Sequence, residues 1–78
     1  MRPDDLLEFV RRRPFQPFVI HMTDGQTYEV THPERIIVAR HRAVIGYGGR
    51  NGIPQGTHQV SLLHIVRVED LADASSSQ

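Results

Sequence analysis

The stretch FVIHMTDGQTYEV, residues 18–30, limits what this chain can become more than any other segment. Asp24-Gly25 stands between two β-rich runs, and Asp-Gly in that setting is the strongest short-range hairpin signal, because a two-residue type I′ turn needs positive φ at both central residues. With Asp24 and Gly25 as the structural turn, Met22 faces Thr27, His21 faces Tyr28 and Val19 faces Val30. Phe18, Ile20 and Met22 then share one face, while Tyr28 and Val30 fall on the other. A hairpin with apolar residues on both faces is expected to be covered twice, by a curved barrel or by an interface. Gly25→Ala is expected to cost more than about 1 kcal/mol, and Gly52→Ala, in a glycine-rich loop, a few tenths.

Before the hairpin, residues 1–13 read as a short helix. Pro3 suits the first helical position, Asp4 and Asp5 complement the positive end of the dipole, and Arg11, Arg12 and Arg13 complement the negative end before Pro14. Leu6, Leu7, Phe9 and Val10 form an apolar stripe too short to be stable without a surface to dock on. Pro14 and Pro17 force extended geometry in the connector to the first strand. The same segment matches the RxxPxxP pattern of a polyproline ligand, although composition alone readily produces such matches.

After the hairpin, Thr31 and Glu34 in THPE have the spacing of a capping box around a single tight turn. Residues 36–39 and 43–47 read as two short strands. GYGGRNGIPQG holds five of the six glycines and reads as a hairpin loop. Residues 58–71 give a strand, a single turn near Leu62 and His64, and a last strand, and 72–78 a polar, disordered tail. The expectation is one domain over 1–71, mainly β with one N-terminal helix, folded as a small, strongly bent β-barrel, Sm-like or SH3-like, of five or six antiparallel strands.

Composition narrows the function classes. At 78 residues without cysteine, the chain has neither a disulfide framework nor thiolate ligands to reinforce a small core, so oligomerisation would help it. Nine arginines balance nine acids, with no lysine, which provides no global attraction to nucleic acid or to anionic lipid and favours self-association. No apolar run is long enough to cross a bilayer, and acids stand where a signal peptide would be basic. The expected setting is the cytoplasm, without membrane contact.

Candidate chemistry is sparse. His21, His32, His41, His58 and His64 lack HxH or HxxxH spacing, so neither a metal nor another cofactor is expected. Ser61, His64 and Glu69 can be drawn as a triad, but consecutive strand positions offer no nucleophile elbow or oxyanion hole, and no enzyme activity is expected. The glycine loop lacks the spacings of a phosphate cradle. Arg11, Arg12, Arg13, Arg40, Arg42 and Arg50, with Tyr47 as a stacking aromatic and His64, remain as contacts for a partner or for single-stranded nucleic acid.

RRRPFQPFVIHMTDGQTYEVTHPE together with SLLHIVRVE resembles a group of small uncharacterised bacterial proteins, many from planctomycetes, that share PFxPFxIHxxDGxxYEVxHPE and a closing LLHIVRIE. That resemblance covers most of the chain and implies no function. The order of helix, hairpin, middle strands and QVSLLHIVRVE is also similar to the Sm-like fold, including the bacterial RNA chaperone Hfq, with His64 at the histidine of a YKHA-type turn. Leu62 and Leu63 replace the tyrosine and lysine of that motif, and Val30 a glycine. These readings together point to a non-enzymatic protein-interaction or self-assembly module forming a homo-oligomer, with Sm-like single-stranded RNA binding as the alternative.

Overall fold

The computed structural model describes residues 1–71, so the tail expected at 72–78 lies outside the described residues. One helix, α1 (Pro3–Val10), precedes six strands: β1 (Phe18–Met22), β2 (Thr27–Val30), β3 (Ile36–Val38), β4 (Arg42–Tyr47), β5 (Gly56–Ser61) and β6 (Ile65–Asp70). They form two three-stranded antiparallel sheets, ordered β2-β1-β6 and β3-β4-β5. The chain leaves the first sheet through a 3-10 turn, Pro33–Arg35, and returns through a second, Leu62–His64. No helix of the described residues is long and apolar enough to cross a membrane.

The hairpin forms where expected, with a different turn. Only Gly25 has positive φ, at 88°. Met22 N–H donates to the Gln26 carbonyl (2.9 Å) and Gly25 N–H to the Met22 carbonyl (3.0 Å), which makes Thr23, Asp24 and Gly25 a three-residue loop with glycine at its left-handed position. The Asp24 carboxylate accepts from Gln26 N–H at 2.9 Å and closes an Asx turn. The expected pairing is therefore off by one: Phe18 faces Val30, Val19 faces Glu29, Ile20 faces Tyr28 and His21 faces Thr27. A slip of one residue moves every side chain of a strand to the other face. In the observed register Phe18, Ile20, Tyr28 and Val30 share the inner face, and the two-sided hairpin that the type I′ turn implied does not arise.

That inner face is the core. Leu6, Phe18, Ile20, Val30, Ala43 and Ile45 are buried almost completely, with Ile36, Val60, Leu62 and Ile65 around them. Phe18 is clasped by Phe9 of α1 and Phe15 of the connector, at ring-centroid distances of 5.6 and 6.0 Å. The helix is shorter than expected: it ends at Val10, and Arg11, whose N–H donates to the Leu7 carbonyl (2.9 Å), is its cap. Leu6 is its one buried residue, Phe9 and Val10 are partly buried against the core, and the Met1 ammonium just before the helix donates to the Leu62 carbonyl at 2.8 Å. The expected capping box does not form. His32 occupies the cap position in extended geometry, and Thr31 Oγ1 is hydrogen-bonded to His32 Nδ1 at 3.1 Å.

Gly52 also departs from expectation, since its φ of 78° lies in the same left-handed region as that of Gly25. A Cβ at either position meets nothing within 4 Å, so backbone strain alone sets the cost. Urea denaturation is expected to show both alanine variants destabilised by about 1 kcal/mol. A Gly52→Ala variant as stable as the parent would contradict the loop geometry.

Candidate functional site at the open side of the two sheets

Beside the core, residues of β2, the first 3-10 turn, β4 and β5 line an open cleft. Tyr28 precedes Val30 by the period of two along β2, and His58 precedes Val60 along β5, so each shares the face of a buried valine. Their rings meet across the gap at a centroid distance of 4.9 Å. Tyr47, at the end of β4 and opposite Gly56, stacks on His58 with centroids 4.6 Å apart and planes inclined by 26°. The ring lies over Gly56, where a Cβ would come within 2.5–3.0 Å of it and push it aside. The tile Tyr28–His58–Tyr47 is thus assembled from three strands and left 43% open at Tyr47.

Arg35, the last residue of the first 3-10 turn, is half-buried beside this tile, and its Nη1 donates to the Gly48 carbonyl at 2.8 Å. Glu29, His32 and Gly49 complete the rim of a cleft of about 510 Å³ that is broadly open to solvent. No ion pair links Arg35 to a carboxylate among the described residues.

The candidate residues from the sequence are not gathered in one place. Arg12 is committed to structure: it pairs with Asp70 at 2.8 Å, donates to the Gln16 carbonyl at 3.1 Å and lies 5.0 Å over the Phe9 ring. Arg13 donates to the carbonyls of Arg11 and Arg12, and Arg11 is exposed. Arg40 sits exposed in the tight β3-β4 turn, and Arg42 donates to Gln59 Oε1 at 3.0 Å. Arg42 and Tyr47 stand at opposite ends of β4, roughly 17 Å apart at the usual strand rise. Arg50 is exposed in the β4-β5 loop, bridged to Ile53, and His64 is exposed in the second 3-10 turn, where its carbonyl accepts from Thr23 N–H. Of the predicted set, Tyr47 alone lines the cleft. Tyr28, Arg35 and His58 were not singled out by sequence, being separated along the chain and joined only by topology.

The drawn triad has other partners. Ser61 Oγ accepts from Leu63 N–H at 3.3 Å, and Glu69 accepts from His21 Nε2 at 2.6 Å and from Arg67 at 3.4 Å. No group of three or more metal-ligating side chains occurs among the described residues. The hydrogen bond from His21, with Arg67 beside it, holds the Glu69 carboxyl below the ordinary glutamate value. A lowered folded-state pKa stabilises the fold above the unfolded value, about 4.3, and that contribution fades as pH falls through the lowered value. Melting curves of the parent and of Glu69→Gln are therefore expected to differ above the unfolded-state value and to converge as pH falls below it. A difference unchanged across that range would remove this pairing from the stability account.

Comparison of the chain with protein-family models, curated proteins and solved structures finds no match.

Proposed function

We propose that the protein is a cytoplasmic, non-enzymatic self-assembly and protein-interaction module on a bent barrel of SH3-like or Sm-like type, and that it associates through the free edge of β5. The observation that carries this reading is the undefended character of that edge. Edge strands are normally blunted by charge, proline, a bulge or shortness. β6 has a register irregularity opposite His21 and Met22 and carries Arg67, Glu69 and Asp70, while β2 and β3 are only four and three residues long. β5 is six residues, GTHQVS, with no Asp, Glu, Lys, Arg or proline, and regular pairing to β4 throughout. Its other side pairs with no strand among the described residues.

Further support comes from the surface around the returning turn, where Leu63 is 84% and Val66 55% exposed. A chain of this size has much to gain by burying such residues against a second copy. The barrel reading is supported by the path of the chain, which crosses between the sheets at β2-β3 and at β5-β6. Single-stranded RNA binding, the alternative, is less supported because the arginines it requires are dispersed.

Amide hydrogen exchange tests the edge directly. At high protein concentration the outward N–H groups of β5 are expected to be protected, and that protection is expected to fall on dilution, while β1 stays unchanged. Concentration-independent exchange at β5 would overturn the assignment.

A further inference from the structure

We propose that the cleft between the sheets is a binding site for a nucleoside monophosphate unit, with the base laid on Tyr47 and the phosphate held by Arg35. This inference is independent of the self-assembly reading, because the cleft lining belongs to one chain and only His58 of it lies on β5.

Three features of the site converge on that ligand. The first is a prepared stacking surface: the Tyr47 ring is fixed by Gly56 beneath it and by His58 at 4.6 Å, yet remains 43% exposed. A flat ring that is held and still open costs little entropy to use, and any nucleobase can stack on it. The second is an uncompensated cation. Arg35 is half-buried and uses one hydrogen bond, from Nη1 to the Gly48 carbonyl, so most of its five N–H donors have no acceptor among the described residues. A guanidinium with unused parallel donors matches the oxygens of phosphate bidentately.

The third is their spacing and volume. Arg35 binds the carbonyl of the residue that follows Tyr47, so cation and ring belong to one wall. At Gly46 a Cβ would press on the Pro54 ring at 3.1–3.2 Å and reach only ordinary contact with the Arg35 side chain at 3.7 Å, so Arg35 lies directly against β4 beside the ring. The volume of about 510 Å³ is within the range of small-molecule clefts, and large enough for a base, a ribose and a phosphate. Among the described residues Glu29 is the one acidic residue at this rim, and alternation along β2 puts it on the face opposite Tyr28 and Val30, so the stacking ring and the cation face no carboxylate.

NMR titration of the full chain tests the proposal, with AMP, adenosine, inorganic phosphate and a short oligo(A) RNA as probes. AMP is expected to give saturable shifts at the ring protons of Tyr28, Tyr47 and His58. Arg35→Gln is expected to weaken AMP at least about tenfold and leave adenosine unchanged, while Tyr47→Leu weakens both. Arg35→Lys, which keeps the charge and loses the fork, is expected to fall between parent and Arg35→Gln. Equal affinity for AMP and for each unit of oligo(A) identifies the free nucleotide as the ligand. Binding of oligo(A) more than about tenfold tighter, with a steep salt dependence, identifies a strand instead. The absence of saturable shifts with AMP and with oligo(A), or shifts insensitive to both Arg35→Gln and Tyr47→Leu, would overturn the proposal.

Discussion

Phe18→Ala is expected to unfold a large fraction of the protein at room temperature. Phe18 is fully buried, and it joins three parts of the molecule: Phe9 of α1, Phe15 of the connector and Val30 across the hairpin. Removing a buried phenyl ring costs about 3–5 kcal/mol, since the cavity term adds to lost transfer energy. A 78-residue domain holds only about 4–12 kcal/mol in all, at 0.05–0.15 per residue. The substitution also releases the helix, whose one other deep anchor is Leu6. Circular dichroism in urea is the measurement, with the midpoint moving close to zero denaturant. A loss below about 1.5 kcal/mol would mean that helix and sheets are not joined through this residue.

The second large effect is on association. Thr57→Glu combined with Gln59→Glu puts two carboxylates on β5 at exposed positions, and Glu at 59 still offers Arg42 an acceptor. Exposed substitutions of this kind change monomer stability by within about 0.5 kcal/mol. Across a strand-to-strand interface, however, the new charges must be desolvated against a neighbouring edge, as in natural edge protection. The dissociation constant of the oligomer is expected to rise at least tenfold, about 1.4 kcal/mol, with an unchanged melting temperature of the dilute protein. Unaltered association would exclude β5 from the interface.

Much of the fold is legible in the sequence because its punctuation is local. Pro3 and the acids after it mark the helix start, Gly25 marks the hairpin, and the glycine-rich loop separates β4 from β5. Both 3-10 turns between the sheets fall where THPE and SLLH suggest a break. The register was harder, because Asp-Gly serves a two-residue loop and equally the end of a three-residue loop with glycine last. The parity of Tyr28 and Val30 held the correcting signal: only the longer loop puts them with Phe18 and Ile20.

The candidate site was less legible, for a physical reason. Arginines clustered along a chain need not share a surface, and Arg12 is taken up by Asp70 and Phe9 while Arg40 and Arg50 lie in the connections at opposite ends of β4. Conversely, Tyr28, Arg35, Tyr47 and His58 are each unremarkable alone. They become a cleft because two sheets bring β2, β4 and β5 to one side, a non-local event that hydrophobic periodicity does not encode.

Sedimentation equilibrium of the full chain over a concentration series bears most directly on the self-assembly reading. At tens of micromolar the expected result is a mass that is a whole-number multiple of 8.9 kDa and decreases on dilution. A mass of 8.9 kDa at every concentration would contradict it.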